Sequence, residues 1–317
     1  MKWKQPAKLG LLAMALGCTA IGLTFTTSTI LAAPVPAFQA VYHQFQTYRT
    51  EAVKSTQSLV KARKYLMNHI DKVSPWQATL MTLQLENMQN VKLADLEYKM
   101  YTKQFQQVLS QAHEQMGYEQ KLTYSRLLKE IKDPAVKKLL QEASDLGFKL
   151  ETSEGLYYPI INYEIYQKFK PFVKADIAAY IDIMATESNQ MTTADAGIII
   201  PWNELIQRAL AKEAFLNNFP NSNRTTVVKQ WLFVEYLFYG SDNTPAYDWY
   251  TDEEIRTIDP AVKQAYEKAL AKREPHTESV LLDTMEKILR VLNENNHELT
   301  PEIRAIIESV EQQFALE

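Results

Sequence analysis

Histidine side chains are the first candidates for metal binding or catalysis in this chain of 317 residues. The five histidines are His43, His69, His113, His276 and His297. A helical zinc site of the H-E-x-x-H type needs a second histidine four residues after the first, so that both imidazoles lie on one helix face. His113 is followed by Gly117 at that position, and His297 is followed by Pro301. The sequence therefore predicts no metal site.

Nucleophiles and phosphate-binding loops do not form recognisable motifs either. There is no G-x-S-x-G turn, and the single cysteine, Cys18, lies near the N-terminus. Loops that cradle dinucleotides or nucleoside triphosphates use closely spaced glycines. The glycines beyond residue 33 stand singly and far apart, at Gly117, Gly147, Gly155, Gly197 and Gly240. We therefore expect no cofactor.

Glu187 is the sharpest catalytic candidate. It ends a predicted helix beside Ser188, and the neighbouring Ile183 and Met184 could supply the apolar wall that a general acid needs. The pair resembles the Glu-Ser motif of soluble lytic transglycosylases, in which a buried glutamate acts as acid and then base on a glycosidic bond. Where that family has Gly-Leu-Met-Gln, this chain has Gly197 followed by three isoleucines. The resemblance implies a murein-cleaving enzyme, which is one alternative for the function.

Aromatic residues are concentrated in two stretches, 157–180 and 231–250. Several recur at helical spacings, which is typical of core packing. Four lie in predicted loops: Tyr157, Tyr158, Tyr247 and Trp249. Because loops seldom bury their side chains fully, and tyrosine and tryptophan offer flat surfaces to sugars and peptides, we expect these four to contact a partner.

The charge balance argues against a nucleic-acid partner. The chain has 34 Lys and Arg against 38 Asp and Glu, a net charge of −4. Three lysines and no acidic residue lie in the first 32 residues, so the remainder carries −7. Binding to phosphate backbones needs clustered lysine and arginine, which an acidic chain does not supply.

The N-terminal 32 residues have the order of an export signal. Three lysines precede the apolar run LGLLAMALGCTAIGL, and ILAAP follows. Cleavage after Ala32 is the first interpretation. Residues 9–33 are also long enough for an uncleaved membrane anchor, and the four residues ending at Cys18 resemble a lipoprotein box. All three interpretations place the rest of the chain outside the cytoplasm, secreted or associated with the cell envelope.

The next part, 33–147, is predicted to be helical. Residues 37–71 and 76–115 lack glycine and proline and carry apolar side chains at helical spacings. Ser74, Pro75 and Gln77 between them fit an N-cap, a first-turn proline and a capping box. Two helices of this length would form an antiparallel hairpin or bundle roughly 50–60 Å long at 1.5 Å per residue.

Residues 148–172 are predicted to link two domains. The run FKLETSEGLYYPII is the one stretch that favours strands, with a turn at Ser153, Glu154 and Gly155. Pro159 restricts the second run to an edge strand or a loop. We expect at most one short β-hairpin near 148–161, or an extended linker.

The last part, 173–317, is predicted to be an array of stacked antiparallel helices, which makes the whole chain all-α. The predicted helices are Lys174–Asn189, Trp202–Asn218, Thr225–Tyr239, Pro260–Lys272, Glu278–Asn293 and Pro301–Phe314. The run Glu213–Gly240 resembles the helix-turn-helix joint of tetratricopeptide-like proteins. The chain as a whole is similar to uncharacterised exported helical proteins of Bacillus-type Gram-positive bacteria.

These patterns favour a non-enzymatic role. We expect an exported cell-envelope scaffold or binding protein whose partner is a protein or a cell-wall polymer. The alternatives are the murein-cleaving enzyme that would use Glu187, and a membrane-anchored sensor or assembly factor that would keep residues 9–33.

Overall fold

The computed structural model describes residues 37–248 and 256–315. All of them belong to one compact unit. The predicted signal peptide, the anchor at 9–33, the lipidation site at Cys18 and the aromatic side chain of Trp249 lie outside the described residues. Among the helices that are described, none is both long and apolar enough to cross a membrane.

The first half of the described chain contains six helices. They are α1 (Ala37–Ala52), α2 (Thr56–His69), α3 (Pro75–Met100), α4 (Lys103–Met116), α5 (Tyr124–Glu130) and α6 (Pro134–Leu146). The predicted helix over 37–71 is divided because Ser55 caps α2 and accepts a hydrogen bond from the Ser58 amide. The predicted helix over 75–115 is divided in the same way by Thr102, which caps α4. The expected pair of very long helices is therefore wrong, and four shorter helices replace it.

The capping box before α3 is confirmed. The Ser74 hydroxyl accepts from the Gln77 amide, and the Gln77 side chain accepts from the Ser74 backbone N–H. Because Pro75 has no N–H and the capping box pairs two others, few backbone N–H groups in the first turn of α3 are left without a partner. α3 then runs for 26 residues, or about 39 Å.

The predicted β-hairpin is present. Strands β1 (Phe148–Ser153) and β2 (Leu156–Ile161) pair antiparallel, with Phe148 opposite Ile161. Glu154 and Gly155 form the two-residue turn with φ values of 52° and 73°, as a twisted hairpin requires. The Asp195 carboxylate accepts hydrogen bonds from the Ser153 hydroxyl and the Glu154 amide, which holds the tip.

The hairpin and the segment after it are not a free linker. β2 packs against α3 and α4, and β1 packs against α6. A 3₁₀ segment, Tyr163–Phe172, then packs against α7 (Ala175–Asn189) and α3. The region predicted to join two domains therefore lies within the packed unit.

The second half is again helical. After α7 come β3 (Thr193–Ala194), β4 (Gly197–Ile198), α8 (Trp202–Asn218), α9 (Thr225–Gln230), α10 (Val234–Phe238), β5 (Gly240–Ser241) and β6 (Thr244–Pro245). The remaining elements are α11 (Pro260–Ala271), α12 (Val280–Glu294) and α13 (Pro301–Phe314). The two additional strand pairs have two residues per strand, so the all-α class is confirmed.

The single helix predicted over Thr225–Tyr239 is wrong. It is divided into α9 and α10 because Phe233 adopts a left-handed backbone conformation, with φ 49°. The predicted bounds of α8 and α13 are confirmed to the residue.

Candidate functional site

A polar cavity of about 690 Å³ lies beside the hairpin. Its walls come from β1, the connection between α4 and α5, the residues just after β2, and the end of α7. We call it the hairpin cavity. Three buried polar atoms on its lining residues have no hydrogen-bond partner: His113 Nε2, Tyr124 Oη and Asn162 Oδ1.

His113 is positioned by α4 and β2. It lies in the last turn of α4 and is 4% exposed. Its Nδ1 is 3.1 Å from the Tyr157 hydroxyl, and its ring makes edge contacts with Tyr157 and Tyr118. The Tyr157 contact fixes the imidazole plane, which leaves Nε2 as the free hydrogen-bonding atom of the ring.

Tyr124 and Asn162 supply the other two unpartnered atoms. Tyr124 is the first residue of α5, and although its ring is partly exposed, its hydroxyl oxygen is buried. Burial raises the pKa of the Tyr124 hydroxyl, so this group is a neutral donor or acceptor at physiological pH. Asn162 is held by its backbone, whose N–H donates to the Gly147 carbonyl at 3.0 Å.

Unpaired buried polar atoms are costly. Each one loses its hydrogen bonds to water on folding, at about 1–3 kcal/mol, without a replacement. Three such atoms belong to residues that line this one cavity, and buried polar atoms of this kind are ordinarily satisfied by a ligand or by ordered water.

Charged groups also line the hairpin cavity without forming a cluster of one sign. Lys149 donates to the Asn189 side chain at 3.3 Å, and Glu151 lies on the same strand. Burial lowers the pKa of Lys149 and raises the pKa of Glu151. Each shift reflects the cost of holding the charged form away from water. Such walls favour a polar ligand with both donors and acceptors and no large net charge.

The predicted contact residues Tyr157 and Tyr158 lie on β2. Tyr157 is 3% exposed, so the expectation that it offers a contact surface is wrong. It lies in a strand, and its backbone N–H and carbonyl both bind the Gln106 side chain, each at 2.8 Å. Tyr158 is partly exposed, and its hydroxyl donates to the Met191 sulfur.

Tyr247 is also buried, at 2% exposure, so the expected contact surface is wrong there as well. It pairs with Ile258 through an isolated β-bridge, which brings this loop residue into the core. Burial raises the pKa of its hydroxyl, which has no hydrogen-bond partner.

Glu187 is held in a buried ion-pair cluster at the end of α7. It is 3% exposed. Its Oε1 accepts from Lys212 Nζ at 2.7 Å, and its Oε2 accepts from the Thr192 hydroxyl at 2.7 Å and from Arg208 at 3.2 Å. Arg208 and Lys212 are one turn apart on α8, so both cations face α7.

This geometry gives Glu187 a structural role. The residue does line two cavities, of about 400 and 520 Å³. A general acid, however, must hold a proton and present it to the substrate. Both oxygens of Glu187 accept hydrogen bonds, two of them from cations, so neither is free to donate. The arrangement gives the transglycosylase interpretation no support.

Metal-ligand types are dispersed in the parts of the chain that the structure describes. Within 37–248 and 256–315, no three His, Cys, Asp or Glu side chains come together in a group that could hold a metal ion.

Comparison with known proteins supplies no further assignment. Neither a protein-family model, nor a curated protein, nor a solved structure matches the chain.

Proposed function

We propose that this chain is an exported, non-enzymatic binding protein of the cell envelope, and that the hairpin cavity holds a polar segment of a cell-wall polymer. The leader pattern, with lysines followed by an apolar run, supports export. The observation that carries the binding role is the set of three unpartnered buried atoms on His113, Tyr124 and Asn162.

The chemistry of these three groups fits a neutral, hydroxyl-rich ligand such as a glycan. Imidazole nitrogen, phenol and amide oxygen each exchange hydrogen bonds with sugar hydroxyls, which both donate and accept. Tyr118, which is 62% exposed, contacts the His113 ring and lines the same cavity. An exposed aromatic ring beside buried polar groups offers an apolar face on which a sugar ring can lie.

The first test compares Tyr124→Phe with Tyr247→Phe. Both changes remove a buried hydroxyl that has no partner, but only Tyr124 lines the hairpin cavity. We expect each variant to raise the free energy of unfolding of the unliganded protein by about 1 kcal/mol, since an unsatisfied polar group is removed. We expect only Tyr124→Phe to weaken wall binding, by roughly tenfold.

The measurement is sedimentation of the purified protein with isolated cell-wall sacculi, with denaturant unfolding of each variant run in parallel. Wild-type protein and Tyr247→Phe should pellet with the sacculi without releasing muropeptides. Equal binding by both variants would place the wall contact away from the hairpin cavity. Failure of the wild type to pellet would exclude the wall polymer and direct the search to a protein partner. Muropeptides released by the wild type would contradict the non-enzymatic role.

A further inference from the structure

A second cavity, of about 400 Å³, is lined by residues of α3, the end of β2, α7 and α9. We call it the arginine cavity. Its walls are mostly apolar and include Leu93, Ile160, Met184, Met191, Val227 and Trp231. Such a lining favours an apolar ligand body, because burial of apolar surface is the main source of its affinity.

Glu86 and Arg224 also line the arginine cavity and form a buried ion pair, with Arg224 Nη2 donating to Glu86 Oε2 at 2.6 Å. The other Glu86 oxygen, Oε1, accepts from the hydroxyls of Tyr163 and Tyr180. The Arg224 guanidinium also lies over the Tyr180 ring, 5.4 Å from its centre. Glu86 is therefore fully engaged, and its charge is compensated by the arginine.

One donor in this arrangement is unused. Arg224 Nε is buried and has no hydrogen-bond partner, although the side chain as a whole is 13% exposed. A buried arginine N–H that has no acceptor loses a hydrogen bond that it makes in water. A ligand that carries one acceptor atom on an apolar body would restore it.

The charges around this donor decide which acceptor fits. Glu86 balances Arg224, and Glu187, which also lines this cavity, is balanced by its own cations. A ligand carboxylate would enter beside two carboxylates with no uncompensated positive charge to meet it. A neutral carbonyl oxygen accepts the hydrogen bond without adding a charge to a dry cavity.

We propose that the arginine cavity binds a small apolar molecule through a neutral carbonyl oxygen that accepts from Arg224 Nε. The arginine cavity shares only Met191 among its lining residues with the hairpin cavity. The inference does not depend on the proposed wall binding.

Three probes of nearly identical shape test the acceptor. They are acetylnaphthalene, which has a neutral carbonyl, ethylnaphthalene, which has none, and naphthoate, which carries a charge. Equilibrium dialysis against the purified protein should rank acetylnaphthalene first, with ethylnaphthalene and naphthoate each weaker by roughly tenfold or more. Equal binding of acetylnaphthalene and ethylnaphthalene, tighter binding of naphthoate, or no binding of acetylnaphthalene would overturn the proposal.

Two variants on α9 locate the site. Val227→Trp fills the arginine cavity and leaves the Glu86–Arg224 pair intact, whereas Thr226→Trp adds the same ring at an exposed neighbouring position. Only Val227→Trp should lower acetylnaphthalene binding, by at least tenfold, while circular dichroism of both variants stays that of the wild type. If Val227→Trp unfolds the chain, Met184→Trp is used in its place, because that residue lines the same cavity from α7. Unchanged binding in a folded cavity-filling variant would contradict the assignment. Tyr124→Phe should leave acetylnaphthalene binding unchanged, which separates this result from the outcome for the hairpin cavity.

Discussion

Replacing Glu187 by glutamine is expected to lower the free energy of unfolding by about 3–5 kcal/mol. The carboxylate is the shared anion of Arg208 and Lys212, whose side chains are 5% and 3% exposed. Glutamine keeps the shape but removes the charge. Among the described residues, Arg208 then keeps Glu204 as a carboxylate partner and Lys212 keeps none. Breaking a buried pair by removing one partner costs far more than the intact pair contributes. Denaturant unfolding measures the difference.

Two variants separate this effect from a general loss of polar contacts. Glu204→Gln removes the other carboxylate bound to Arg208. Because the Glu204 side chain is 36% exposed, we expect this change to lower the free energy of unfolding by less than about 1 kcal/mol. Adding Lys212→Met to Glu187→Gln removes the cation that has lost its partner and should recover part of the lost stability. A Glu187→Gln protein as stable as the wild type would contradict the structural role and leave this carboxyl available for chemistry.

Alkaline conditions are expected to unfold the protein cooperatively above about pH 10. Five of the tyrosines whose hydroxyl pKa burial raises above the ordinary value of 10.0 lie in the core: Tyr163, Tyr166, Tyr180, Tyr247 and Tyr266. The negative charge of Glu86 raises three of these pKa values further, those of Tyr163, Tyr166 and Tyr180. All five side chains are at most 6% exposed.

The direction in which stability changes with pH follows from the number of protons that the folded and unfolded chains bind. Above pH 10 the unfolded chain releases these protons and the folded chain keeps them, so stability that is fully present below pH 10 is lost as the pH rises. Each group lowers the free energy of unfolding by about 1.4 kcal/mol per pH unit, and the five together lower it by roughly 7 kcal/mol per pH unit. Lys149 and Lys212 act in the opposite sense, because burial lowers the pKa of each ammonium group. Two such groups do not offset five.

Circular dichroism and tyrosinate absorbance, followed together against pH, check this expectation. The helical signal should disappear in the same step in which the buried tyrosines ionise. Tyr266→Phe should make the transition less steep, because that hydroxyl donates to the Leu237 carbonyl in the core. Tyr98→Phe removes an exposed hydroxyl, so the alkaline transition should remain unchanged. Gradual ionisation with the helical signal retained would contradict the burial of these rings.

Much of the fold could be predicted because the capping residues are local signals. Ser74 with Gln77 begins α3 as predicted, and Asp133 and Thr300 cap α6 and α13 by the same local chemistry, each accepting a hydrogen bond from an amide of the first turn. The errors came from caps inside long apolar patterns. Ser55 and Thr102 stand within apolar patterns that continue past them, so the residue types alone do not show that a helix ends there; at Ser55 the break allows α1 to pack on α2.

The candidate sites were harder to predict because they combine distant segments. His113 does follow Phe105 and Leu109 at intervals of four, which places it on the buried face of α4. Nothing local indicates that Asn162 and Tyr124 line the same cavity, or that Arg224 meets Glu86 across 138 residues. The burial of Tyr247 depends on its isolated pairing with Ile258, which residue types alone do not indicate. Tyr157 lies in the predicted hairpin, and its burial depends on the packing of β2 against α3 and α4.

The contacts of Glu86 join the part of the chain before the hairpin to the part after it. Glu86 lies before the hairpin, while Tyr163, Tyr180 and Arg224 lie after it, and Gln106 binds the Tyr157 backbone across the same point. A fragment that ended at the hairpin would expose a carboxylate built for a dry environment. A single proteolytic cut at the exposed tip, by contrast, removes none of these contacts. The two fragments produced there should remain associated and refold only together, as complementary halves of one molecule.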